Sequence, residues 1–198
     1  MRELWYSDKR DLVKWGAMVQ LVQEEEIDRI IQVAFFRETE RPRLRSEGKE
    51  FPVAQEVWMH FRDLRNIEAL GQEIGVEIVL IDHPFDASKR LEYLELVRSV
   101  LRRFGGLKKI VLLDPDTGIE PKKAKPEHVT VREIEELWEQ LSPGDWLALY
   151  QHQRRDQQWR EKTLSRFADA CRTSCVRMFS GSGPAAAKDV VLFATKKV

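Results

Sequence analysis

The chain has 198 residues, enough for one well-buried core, with 42% hydrophobic and 33% charged residues. Its 33 basic and 33 acidic residues cancel, which excludes a global field drawing the molecule to nucleic acid or membrane, so any such preference must come from local clustering. No stretch is apolar enough for a signal peptide or a membrane span, and Cys171 and Cys175 are too few for a disulfide scaffold and have no nearby zinc partners. One cytoplasmic domain with reduced thiols is expected.

Ser7-Asp8-Lys9-Arg10-Asp11 has the capping oxygens and early acid of a helix start, and Leu12, Trp15, Val19 and Val22 follow at helical spacing as one apolar face. Ile30 to Phe36 is β-branched and aromatic, a buried strand. Arg37 to Lys49, dense in charge and holding Pro42 and Gly48, predicts a loop. Pro52 opens a helix to about Glu73 with Val57, Phe61, Leu64 and Leu70 inward, and Gly75 ends it. Val76 to Ile81 is a second strand. Asp86-Ala87-Ser88 starts a helix carrying Leu91, Leu94, Val97, Val100 and Leu101 to a Gly105-Gly106 stop. Ile110 to Leu113 is a third strand, ending in Asp114-Pro115-Asp116-Thr117-Gly118. Thr130 caps a helix with Ile134, Leu137, Trp138 and Leu141, and after Pro143-Gly144 a fourth strand runs from Trp146 to Tyr150. Trp159 to about Arg172 is helical. Cys175 to Phe179 and Val190 to Thr195, joined by a Gly-rich segment, predict a closing antiparallel hairpin.

Strands alternating with helices predict an α/β fold with a mostly parallel sheet, helices on both faces and a C-terminal antiparallel hairpin. Ligands of such sheets bind beyond the carboxyl ends of the strands. The residues that follow the four strands are therefore the candidates: Arg37-Glu38-Thr39, Asp82 to Asp86, Asp114 to Gly118, and Gln151 to Arg155.

An apolar strand ending in Asp114-Pro115 resembles the fourth motif of the S-adenosylmethionine-dependent amino-group methyltransferases, Asp-Pro-Pro-aromatic, and the terminal hairpin resembles the end of their fold. The resemblance implies a Rossmann-like fold. It implies that Asp114 and a neighbouring carbonyl accept hydrogen bonds from a target amine, and that a flipped base is the substrate. On it rest the expected roles of Asp114 in catalysis and of Phe36 and Asp82 toward S-adenosylmethionine; Asp116 and His152 are expected in catalysis, and Pro115 and Thr117 toward substrate, from their place at the strand ends. Asp116 and Thr117 replace the second proline and the aromatic, and no glycine stands between the first strand and Gly48, where a Gly-rich turn is the family pattern. An Asx turn closed on itself is the bland alternative for Asp114. In the functional case its carboxylate is expected to face an open crevice, and Asp114→Asn to fold with near-normal stability.

Two other readings stand beside this one. Asp82, Asp86, Asp114, Asp116 and His152 are hard donors for a divalent metal, as in a phosphodiesterase or nuclease. Alternatively the chain is a non-catalytic module for nucleic acid or nucleotide, with Arg37, Arg41, Arg43, Arg45, Lys122, Lys123, Lys125, Arg154 and Arg155 as a basic cluster for phosphate. No membrane partner is expected.

Overall fold

The computed structural model describes residues 8–37, 43–60, 66–121 and 123–198. Helix α1 (Lys9–Glu25) is capped by Asp8, whose side chain accepts from the N–H groups of Arg10 and Asp11. It leads into β1 (Arg29–Val33), a strand buried along its whole length. β2 (Arg43–Ser46) and β3 (Lys49–Pro52) form an exposed hairpin, followed by α2 (Gln55–His60), α3 (Asn66–Ile74) and β4 (Glu77–Ile81). A short 3₁₀ turn, Ala87–Lys89, capped by Asp86, precedes α4 (Arg90–Arg103) and β5 (Lys109–Leu113). Two residue pairs, β6 (Gly118–Ile119) and β7 (His128–Val129), bridge in parallel before α5 (Val131–Gln140). Thr130 and Glu133 cap α5 reciprocally as a capping box. β8 (Trp146–His152), α6 (Trp159–Ala170), β9 (Arg177–Ser180) and β10 (Val190–Lys196) complete the chain.

The main sheet has the order β4-β1-β5-β8-β10-β9. β4, β1, β5 and β8 are parallel, and β10 runs antiparallel between β8 and β9. The expected mostly parallel, Rossmann-like sheet and closing antiparallel pair are therefore present. One face packs against α1 and α3 through Met18, Leu21, Ile67, Ile30, Leu112 and Ala148. The other packs against α4, α5 and α6 through Val97, Leu137, Phe167, Val33, Val111 and Phe193. The chain leaves β1 toward α3 on the first face and β5 toward α5 on the second. A crevice therefore opens between the carboxyl ends of these two neighbours, at the switch point of the topology.

Several local expectations are corrected. Leu12 is 64% exposed and Leu91 73% exposed. Of the expected α1 face Trp15 is buried and Val22 packs against the core, and the rest of the buried stripe is Val13, Ala17, Met18 and Leu21, with the polar Asp11 and Lys14 among them, so the outward Leu12 distorts the phase of the pattern. Val57 is exposed as well. The predicted loop at 37–49 contains β2 and part of β3, turned through Glu47 and Gly48, both at positive φ (50° and 75°). That is the backbone of a two-residue hairpin turn, here without the usual Asn-Gly signature. Pro52 ends β3 rather than opening a helix, since a proline at a strand end gives up no ladder bond that the hairpin needs. Phe61, Leu64, Arg41 and Lys122 lie outside the described residues.

Candidate functional site

Period-two alternation puts Gln32 of β1, Asp114 after β5, and Tyr150 and His152 of β8 on the sheet face covered by α1. At the carboxyl ends of these strands they meet the first turns of α1. A cavity of about 400 Å³ opens there, lined by Asp8, Arg10, Asp11 and Lys14 of α1 and its cap, Arg37 after β1, Asp114-Pro115-Asp116-Thr117 after β5, Glu127, and Tyr150 and His152 of β8. The size suits a small ligand.

The wall of this cavity is a buried charge network. The ammonium of Lys14, only 1% exposed, lies 2.6 Å from Asp11 Oδ1 and 2.8 Å from Asp114 Oδ2. The side-chain amide of Gln32 donates to the same Asp114 oxygen at 2.7 Å. Burial opposes the charge on Lys14, but Asp114 and Asp11 outweigh it and raise its pKa above that of free lysine. The ammonium also stands 5.1 Å from the centroid of the Tyr150 ring. Burial, then the charge of Asp114, raises the pKa of the Tyr150 phenol, so it stays protonated. His152 packs edge-on against the same ring at 5.0 Å. Burial, then Arg10, lowers the pKa of its imidazole, which favours the neutral form.

Asp114 is thus neither facing open solvent nor closed on its own turn. Its side chain is 1% exposed, and its backbone N–H donates to the Val33 carbonyl at 3.0 Å. From this burial Asp114→Asn is expected to cost about 3–5 kcal/mol, as breaking one side of a buried pair does, rather than to fold with near-normal stability. Asp116 is paired with the Arg37 guanidinium. Burial works against its charge, and Arg37 is among the cations that hold its pKa below the usual carboxylate range. Thr117 is fastened by its hydroxyl and its N–H to the Glu127 carbonyl (3.0 and 3.1 Å). The turn then passes through Gly118 at φ 101°. Here the buried Gln151 side chain fills the space that a β-carbon would take, accepting from Ile119 N–H at 2.9 Å and donating to the carbonyls of Thr117 and His152 at 2.7 Å each.

The structure therefore brings Asp114, Pro115, Asp116, Thr117 and His152 together, with Arg37 beside them. Phe36 packs beside Ala34 and Leu80, and Asp82 is exposed; neither lines the cavity. Arg154 donates to the Ile119 carbonyl, and Lys123 and Arg155 point into solvent. Arg43 and Arg45 pair with Glu50 on the exposed hairpin. Of the described members of the basic cluster Arg37 alone lines the cavity, whose described lining carries five carboxylates against three cations. Among the described residues no group of three or more His, Cys, Asp or Glu is arranged to hold a metal ion, and no helix is long and apolar enough to cross a membrane.

Sequence reasoning missed Asp11, Lys14, Gln32 and Tyr150 as site residues. Their signal was a polar group at a core position: Asp11 and Lys14 share a stripe with Met18 and Leu21, and Gln32 interrupts an apolar strand.

S-adenosylmethionine held by backbone amides after the first strand does not fit these residues. Phe35 stands there at φ 45° and is 2% exposed, its ring packed against Phe85 (5.3 Å) and Tyr93 (5.5 Å). Its N–H donates to the Tyr93 hydroxyl at 3.1 Å, and the Phe85 N–H donates to the Phe36 carbonyl at 2.6 Å, tying the exits of β1 and β4 together. A ring fills the place where close backbone approach requires none.

No protein-family model matches this chain, and no curated protein matches it in sequence.

Proposed function

We propose that this is a methyltransferase-like protein whose cavity between β1 and β5 receives an amino group, that of a nucleobase in a nucleotide or nucleic acid. One observation carries the reading: Asp114-Pro115 lines a cavity at the switch point whose described charges are predominantly carboxylates. Such a wall attracts a donor-rich or cationic group and repels bare phosphate. The reversed β10 between β8 and β9 supports the same relationship. Protonated Tyr150 is able to donate a hydrogen bond, and neutral His152 is able to accept one.

The filled crevice at Phe35 favours a second reading, a binding module that keeps the fold without the cofactor.

Thermal shift and calorimetry with adenosine against inosine, and cytidine against uridine, test the first reading. Amine-bearing nucleosides are expected to stabilise the protein, by about 2.7 kcal/mol at 100 times the dissociation constant, and their amine-free counterparts much less. Equal shifts from both members of each pair refute it. An added arm with S-adenosylmethionine separates the two readings: a shift favours the enzyme, none the module.

A further inference from the structure

We propose that Lys14 is a positioning residue of this cavity: it fixes the orientation of the Asp114 carboxylate and balances its charge, so that Asp114 serves as the amine acceptor. The inference rests on the amine-binding reading above and deepens it.

A lysine at 1% exposure is rare, because its charge must be stripped of water. Fold stability does not explain it. A buried ion pair is generally no better than apolar side chains of the same volume, and position 14 lies on the stripe where α1 otherwise presents Ala17, Met18 and Leu21 to the sheet. A methionine there would suit packing alone. The lysine instead draws three elements to one point. Asp11, one turn earlier on α1, holds the ammonium at 2.6 Å. The ammonium reaches Asp114 Oδ2 from the helix, and Gln32 reaches the same oxygen from β1. Two donors from different elements converging on one oxygen leave the carboxylate little freedom to rotate. Tyr150, beneath the ammonium, and His152, against Tyr150, complete the group facing Asp114 from β8.

The test is the ratio of dissociation constants for inosine and adenosine, measured by calorimetry well below each variant's melting temperature. A merely structural lysine would lower the melting temperature of Lys14→Met and leave the ratio alone. A positioning lysine makes the ratio fall tenfold or more. Should Lys14→Met fail to fold, Gln32→Met decides: it is uncharged and similar in size, removes one of the two donors to the same oxygen, and is expected to lower the ratio several-fold. An unchanged ratio in the folded variant, with wild-type protein preferring adenosine, overturns the role of Lys14 while leaving amine binding intact. Wild-type protein with no preference overturns both.

Discussion

Gly118→Ala isolates what holds the segment after β5 in shape. Gly118 adopts φ 101°, and a β-carbon there would lie 2.1 to 2.6 Å from the Gln151 side-chain amide. Two costs follow. The backbone strain of a non-glycine residue at such a φ is about 1–3 kcal/mol. Gln151 must also move, and it makes three hydrogen bonds, to Ile119 N–H and to the carbonyls of Thr117 and His152, each worth about 1 kcal/mol net. The sum is about 4–6 kcal/mol, or a fall of roughly 15 °C in Tm for a chain of this length. Urea unfolding followed by circular dichroism measures it. The same substitution in a Gln151→Ala background should cost only the strain, because the amide is gone, so the double-mutant cycle should show about 3 kcal/mol of coupling. A Gly118→Ala cost below about 0.5 kcal/mol, or strict additivity of the pair, would refute the account.

Two further outcomes are expected. Because the folded pKa of His152 is lowered, its contribution to stability is present above the unfolded value of about 6.5 and is lost as pH falls toward the folded value; His152→Gln should therefore flatten the pH dependence of stability in that acidic window, and an unchanged slope would count against a buried neutral imidazole. Burial pushes the Cys171 thiol up to about 12, whereas Cys175 is exposed, so a disulfide reagent at pH 8 should titrate one thiol in the folded protein and two in denaturant.

Much of the fold was legible because it depends on short-range patterns. The apolar runs at Ile30, Val76, Ile110 and Trp146, each separated by a helical segment, require parallel strands, since a chain that returns through a helix re-enters the sheet in the same direction. The caps Asp8, Asp86 and Thr130 were readable for the same reason, as each bonds to backbone within three residues. The exits of the strands could likewise be named in advance as the working edge, which is how Asp114, Pro115, Asp116, Thr117 and His152 came to be placed together.

What tertiary structure alone decided is which charges meet. Lys14 and Asp114 are 100 residues apart, and Arg10 and Asp189 are 179 apart; the place of Lys14 on the α1 stripe hints at burial, but its partner on β5 is known only once the sheet is assembled. The basic loops looked like one cluster in sequence, yet Arg154 is spent on a backbone carbonyl and Arg43 and Arg45 on Glu50, so among the described residues the lining of the cavity holds more carboxylates than cations. Phe35 shows the same division. Its apolar character predicted burial correctly, but its left-handed backbone and its packing on Phe85 and Tyr93 arise only when β1 and β4 lie side by side and their exit loops share one crevice. Local sequence determines which segments fold and which way they run, because those choices are settled by neighbours along the chain. The sign of the field in the cavity is set by contacts between residues brought together from across the whole chain, and only the assembled sheet selects them.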